Sequence, residues 1–225
     1  MKAMLLAAGL GKRMRPLTDS CPKPLLPIPG GTLIEHHIKK LVEIGVRDIV
    51  INTHYLGHMI EAHLGDGAAH GANISYSREE RLLETGGGIK AALGLLRDDP
   101  FIVVSSDTYN DFNFERMPTR PGDGSIGCLV MTDNPPHHLE GDFSLKGGWL
   151  GHDKPHLTWT GIGLFTPEFI HRSVKKEYKL REIFDSTIRK GQLEGIYHGG
   201  YWCDVGTPER YEDLQKHLSS QTLDQ

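Results

Sequence analysis

The chain has 225 residues, a formal net charge of −4 at pH 7, 38% hydrophobic and 24% charged residues. That length suffices for one large α/β unit or two small ones, and the mild acidity argues against a general nucleic-acid binder, which presents a wide basic surface. No apolar run approaches the roughly 18–20 residues of a membrane span, and Cys21, Cys128 and Cys203 are odd in number and scattered, which suits a reducing cytoplasm rather than a disulfide framework.

Residues 4–8 form an apolar run without polar alternation, the pattern of a strand buried on both faces. With a strand opening so early, no signal peptide is expected. Gly9 and Gly11 break the run. Lys12, Arg13, Arg15 and Lys23 follow, with Asp19 as the only acid among them. Glycines let backbone N–H groups approach an anion and the cations neutralise it, so the segment suits a polyphosphate. The plain alternative is a solvated basic loop. Against it, Pro16, Pro22, Pro24, Pro27 and Pro29 stiffen the segment beyond what an ordinary loop requires.

Thr32 and Glu35 read as a capping box. Ile34, Ile38, Leu41 and Val42 then give the apolar face of a helix that stops at Gly45. A strand over 48–52, a helix over about 56–64 and a strand over 73–77 come next. Gly86, Gly87 and Gly88 are expected ahead of a helix over about 89–96, and a buried strand over 101–104 delivers Asp107 just past its end. Four strand–helix alternations predict a mostly parallel sheet with right-handed crossovers and helices on both faces. Ligands bind outside the carboxyl ends of such strands, where the glycine loop and Asp107 both fall.

Beyond about residue 111 the chain becomes β-rich. Strands are expected over 126–132, 157–165, 193–197 and 201–204, with a strand-and-turn over 142–149 around Gly147 and Gly148. Helices begin at Pro167 and over 180–190, and a last one starts behind Thr207 as cap and Pro208 at its first position, fraying from about Ser219. No change of composition marks a linker. Residues 1–225 therefore read as one unit, with halves at about 1–110 and 111–218.

Two carboxylates sit at strand ends: Asp107, and Asp204 just before the last helix. Magnesium takes one or two carboxylates plus phosphate oxygens and waters, and this pair meets that need; as turn caps they would need no metal. Glu84 to Gly88 could seat a flat base against the backbone or merely start a helix. His54, His58 and His63 lack the cysteine or glutamate partners of a zinc motif. Two familiar phosphate loops are excluded: Gly11-Lys12 is followed by Arg13 rather than Ser or Thr, and Met14 stands where a dinucleotide fingerprint needs its third glycine.

Leu6 through Thr18 and Pro22 through Pro27 match, almost residue for residue, the pattern L-A-A-G-x-G-x-R-[ML]-x-P-L-T…P-K-P-[LM]-[LV]-P. Asp107 after the fourth strand, and Trp202-Cys203-Asp204-Val205-Gly206-Thr207-Pro208-Glu209 near the end, follow in order. In these elements the chain resembles the sugar-1-phosphate nucleotidyltransferases. One departure is Ser106, where that family usually has Gly. The resemblance implies a Rossmann-like, three-layer mixed sheet with a β-rich sugar-binding half. It also implies a reaction that joins a sugar 1-phosphate to a nucleoside triphosphate and releases pyrophosphate. The roles it implies are a nucleotide held by Leu6, Ala7, Ala8, Gly9, Gly11, Lys12 and Arg13 with Glu84 and Gly88, catalysis by Arg13 and Lys23, Mg²⁺ on Asp107 and Asp204, and sugar contacts from Ser105, Gly141, Asp142 and Thr160. The Glu84-Thr85-Gly86-Gly87-Gly88 and His137-His138…Gly141-Asp142-Phe143 elements, without a following β-helix, are similar to the branch that transfers uridylyl from UTP to N-acetylmuramic acid α-1-phosphate in cell-wall recycling. His137, His138 and Lys154 are its candidates for the lactyl carboxylate. A mannose-1-phosphate guanylyltransferase is the alternative. A phosphocholine cytidylyltransferase with Trp149 and Trp159 as a cation cage is another, and a silent nucleotide-sugar sensor is an alternative of another class. The implied partners are the two substrates, with neither nucleic acid nor membrane, in a monomer or small homo-oligomer.

Overall fold

The computed structural model describes residues 1–97 and 99–223. The first apolar run makes β1 (Lys2–Leu6), ending two residues before the run does. A short hairpin of β2 (Pro27–Ile28) and β3 (Gly31–Thr32) leads into α1 (Leu33–Glu43). Then come β4 (Asp48–Thr53), α2 (Gly57–Leu64), β5 (Asn73–Arg78), α3 (Glu84–Leu96), β6 (Phe101–Ser105) and β7 (Thr108–Asn110). The second half comprises β8 (Gly127–Asp133), β9 (Ser144–Lys146), β10 (Trp149–Gly151), β11 (Leu157–Phe165), α4 (Pro167–His171), α5 (Leu180–Ile188), β12 (Leu193–Tyr197), β13 (Trp202–Asp204) and α6 (Pro208–Leu223).

Nine strands form one mixed sheet in the order β5-β4-β1-β6-β11-β8-β12-β10-β9. The first four are parallel. β11 then runs antiparallel to both β6 and β8, so the sheet is continuous across both halves of the chain. Alternation along the strands fills two layers. Ala3 and Leu5 of β1 face α1 and α2 with Ile34, Ile38, Leu41 and Ile60, while Met4 faces α3, α4 and α5 with Ile89, Ala92, Phe169 and Phe184. This is the three-layer, Rossmann-like arrangement that the alternation and the resemblance imply. A third cluster joins Met14, Leu26, Ile28 and Leu33 to Val205, Leu214 and Leu218, and so clamps α6 onto the proline segment. Leu218 is buried there, and the helix continues through Leu223 instead of fraying from Ser219; residues 224 and 225 of that expected tail lie outside the described residues.

Two sequence expectations are corrected. The strand expected over 201–204 starts one residue later and stands outside the nine-stranded sheet. It pairs antiparallel with β7, Asp204 opposite Thr108. And α3 starts at Glu84, so the three glycines lie inside its first turns. Glycine disfavours a helix by about 1 kcal/mol each, but close packing requires it here. A Cβ at Gly87 would fall on the carbonyl oxygen of Lys176, and one at Gly86 would lie 2.5 Å from Cδ2 and 2.9 Å from Cζ of Tyr178. Tyr178 is itself buried, and its carbonyl accepts from Gly86 and Gly87 N–H at 3.0 and 3.2 Å. Gly86→Ala is therefore expected to destabilise the protein by about 1–3 kcal/mol, the cost of overpacking a core, despite its better helix propensity. Urea unfolding checks it; a stabilised variant would contradict this packing.

Candidate active site

The carboxyl ends of β1, β4, β5 and β6 open on a cavity of about 410 Å³. Where β1 ends, Ala7 N–H leaves the ladder and donates to Asn52 Oδ1 at 2.9 Å. Gly11 then adopts φ +60°, a left-handed conformation that favours glycine. Its carbonyl accepts from the buried Thr18 hydroxyl at 2.8 Å. A 3₁₀ turn, Lys12–Met14, buries Met14 and leaves Lys12 and Arg13 exposed. A second such turn, Lys23–Leu25, is flanked by Pro22 and aims the Lys23 ammonium into the cavity, 2.7 Å from Asp107 Oδ2.

Of the residues expected to hold the nucleotide, Leu6, Ala7, Ala8, Gly9, Gly11, Lys12, Arg13 and Glu84 line this cavity. Gly88 does not. It is buried in α3, where a Cβ would fall 2.6 Å from Glu79 Oε1 and 2.8 Å from Asn52 Nδ2. Its part is to admit those two side chains, which do line the cavity and which the sequence reading missed. Asn52 Nδ2 donates to Glu79 Oε1 at 2.7 Å, and Glu79 Oε2 accepts from Leu83 N–H at 3.1 Å. Both stand at the carboxyl ends of parallel strands, the one sequence signal that could have marked them.

A second cavity, of about 340 Å³, shares Arg13, Ser105 and Asp107 with the first, and Thr160, His137, His138, Trp202, Asp204 and Arg210 are among its other lining residues. Gly161 at φ +85° lets β11 approach, since a Cβ there would lie 2.7 Å from that of Ser105. Gly141 and Asp142, expected at the sugar, are not in this wall. The Asp142 carboxylate accepts from Trp159 N–H at 2.9 Å and Arg181 Nη1 at 3.0 Å, with His138 Nε2 at 3.4 Å. It organises β11 rather than facing a ligand. Gly141 packs against Asn134 at φ +67°, and Lys154 and Trp149 line neither cavity. His63 is engaged by Glu35 at 3.1 Å, away from any zinc cluster.

The pairing of β7 with β13 brings Asp107 and Asp204 to the same region: Val205 N–H donates to the Asp107 carbonyl at 3.0 Å. Burial pushes the Asp107 carboxyl up, but the Lys23 ammonium and its hydrogen bond outweigh that and hold it below its ordinary value. Asp204 is engaged by Arg210 and by His137, at 2.9 Å. Behind β7, His37 donates to the Thr108 carbonyl at 2.8 Å, and burial pushes its pKa down to about 3, so it stays neutral. Ser106 is fully buried, and its hydroxyl donates to the Leu6 carbonyl at 2.5 Å. The serine thus ties β6 to the end of β1 and leaves no polar atom loose in the cavity. Hard carboxylate oxygens from the turn ahead of β7 and from β13, its partner strand, fit Mg²⁺. Among the described residues no cluster of three or more His, Cys, Asp or Glu could hold a metal, so such an ion would draw its other ligands from phosphate and water.

The nucleotidyl transferase family model matches residues 2–138. The chain belongs to that family. It is 42% identical over 224 residues to the N-acetylmuramate alpha-1-phosphate uridylyltransferase of Neisseria meningitidis serogroup B, covering 96% of this chain and 97% of that protein. It is 31% identical to the mannose-1-phosphate guanylyltransferase catalytic subunit beta of Xenopus tropicalis, over 94% of this chain but 62% of that one. Among solved structures, HddC from Yersinia pseudotuberculosis complexed with GMP-PN has a TM-score of 0.80 at 20% identity, covering 96% of this chain and 99% of that one, a likeness of fold. In this nucleotidyl transferase the two cavities meet over Arg13, Ser105 and Asp107. No helix among the described residues is long and apolar enough to cross a membrane.

Proposed function

We propose that this protein transfers a uridylyl group from UTP to N-acetylmuramic acid α-1-phosphate and releases pyrophosphate. The observation that carries the reaction type is the meeting of the two cavities at Arg13, Ser105 and Asp107. The likeness to the Neisseria uridylyltransferase along the whole of both chains supports the choice of substrates.

The acceptor phosphate arrives ionised, so it needs no general base. Its oxygen forms a bond to the α-phosphorus while the bond from that phosphorus to the bridging oxygen breaks, and pyrophosphate leaves with the electron pair. The obstacle is mutual repulsion of two anions, which positioning and charge neutralisation relieve. Arg13, a planar fork, braces the triphosphate and the departing pyrophosphate. Lys23, a compact charge, stands where the α-phosphate and the acceptor phosphate meet. Mg²⁺ held by Asp107 and Asp204 would supply further charge neutralisation there. The three thiols are free, which supports a cytoplasmic setting.

Mannose-1-phosphate guanylyl transfer is the second reading, favoured by the Xenopus relative. Ser106, which departs from the family's usual glycine and prompted the reading of a silent sensor, turns its hydroxyl to the Leu6 carbonyl, which supports an active enzyme. The lactyl carboxylate distinguishes N-acetylmuramic acid from mannose and N-acetylglucosamine, and the second cavity offers it His137 and His138. A charge-assisted hydrogen bond contributes about 1.5–3 kcal/mol, so kcat/KM is expected to favour the muramic substrate by roughly 10- to 150-fold over N-acetylglucosamine 1-phosphate. Pyrophosphate-release kinetics over four triphosphates and a panel of sugar phosphates check this. A preference for GTP with mannose 1-phosphate would overturn the substrate choice.

A further inference from the structure

Asp204 lines the second cavity, yet its carboxylate is already engaged. Arg210, six residues on and in the first turns of α6, sets Nη1 2.7 and 2.6 Å from Asp204 Oδ1 and Oδ2. The two side chains are 19% and 27% exposed and face the same cavity. Gly206 makes room for this reach. A Cβ there would lie 2.8 Å from Arg210 Cζ and 3.1 Å from Asp204 Oδ2, and no positive φ demands glycine at that position. The glycine is explained by the space the guanidinium takes. Across the cavity junction the pattern repeats, with Lys23 on Asp107 at 2.7 Å.

We propose that Arg210 is a resident counter-ion of Asp204, displaced by a divalent cation, whose freed guanidinium then binds the 1-phosphate of the acceptor. The inference rests on reading the second cavity as the acceptor site. A divalent cation and a guanidinium compete for the same carboxylate oxygens. The metal affinity of the substrate-free protein is therefore lowered by the fraction of time Asp204 is taken. Once displaced, the fork stands unpaired at a cavity that receives a phosphate, the anion whose geometry it matches in bidentate fashion. Charge stays balanced throughout: the carboxylates are neutralised by Arg210 and Lys23 before binding and by the metal afterwards, while the two cations pass to the phosphates.

Mn²⁺ binding to the substrate-free full chain, followed by electron paramagnetic resonance, tests the first half without any turnover. Arg210→Ala is expected to bind Mn²⁺ about 3- to 10-fold more tightly than the parent, because the permanently charged competitor is gone and only His137, 2.9 Å from Oδ1, stays on the carboxylate. Gly206→Ala is expected to shift it the same way by pushing the guanidinium off while keeping its charge, and it keeps the test open if losing Arg210 disturbs α6. In steady state, Arg210→Ala should raise the KM for the sugar 1-phosphate at least about 10-fold, with the KM for UTP changed by less than about twofold and Arg210→Lys recovering part of the loss. Unchanged or weaker Mn²⁺ binding in both variants would overturn the inference, and so would a rise in the UTP KM as large as that for the sugar. If the parent turns over no sugar 1-phosphate, the proposed reaction falls and takes the acceptor half with it, whereas the Mn²⁺ titration decides the counter-ion half independently.

Discussion

Asp107→Asn is expected to lower kcat at least about 100-fold, the scale of losing one charge-stabilising element at a reacting centre, with the fold intact. The backbone around Asp107 is held without its side chain. Its carbonyl accepts from Val205 N–H at 3.0 Å, Ser106 N–H donates to the Leu6 carbonyl at 3.2 Å, and the Thr108 hydroxyl donates to the Ser105 carbonyl at 2.9 Å. Asparagine is the informative replacement because of Lys23. The lysine side chain is 9% exposed and the aspartate 47%, so alanine would strand a buried ammonium without an acceptor and mix a stability loss into the result. Asparagine keeps an oxygen for that ammonium and removes only the charge. Turnover with Mg²⁺ near the parent's, beside a melting temperature near the parent's, would remove Asp107 from the metal site.

The parts of this structure that are local were visible in the sequence. The strands at 157–165 and 193–197 fall where they were expected, the first filled mostly by β-branched and aromatic side chains and the second bounded by Gly191 before it and Gly199 after it. The stiff, basic loop after β1 was legible because its glycines, cations and prolines are contiguous. What depends on distant pairing was not. Asn52 and Glu79 reach the first cavity only because β4 and β5 stand beside β1 in parallel register. Arg210 and His137, 73 residues apart, meet at Asp204 only through the fold. The three glycines misled for a definable reason: intrinsic propensity places them outside a helix, and the packing of Tyr178, the Lys176 carbonyl and Glu79 against α3 overrides it. Asp142 was read as a sugar contact, and its carboxylate oxygens engage Trp159 N–H and Arg181 instead of lining the second cavity.

Lys23→Ala reverses the asymmetry of the first variant. Here the buried partner is removed and the half-exposed one stays, so Asp107 can be hydrated from the cavity and little stability is lost. The turn that carries Lys23 does not need its side chain: Leu25 N–H donates to the Pro22 carbonyl at 2.8 Å and Leu26 N–H to the Lys23 carbonyl at 3.1 Å. The melting temperature is therefore expected to stay within a few degrees of the parent's, while kcat falls by roughly 100-fold or more. The KM for UTP should change by less than about threefold, because Lys23 is assigned to the reacting phosphates and the triphosphate keeps Arg13, Lys12 and the backbone of the glycine loop. The carboxyl of Asp107 carries a second readout. The Lys23 ammonium and its hydrogen bond hold that carboxyl below its ordinary value, so losing them lets its pKa rise. The acid limb of the pH–rate profile should move to higher pH in Lys23→Ala and stay near its original position in Lys23→Arg, which keeps the charge. A variant with unchanged kcat and a raised UTP KM would assign Lys23 to ground-state nucleotide binding and take it out of the chemical step.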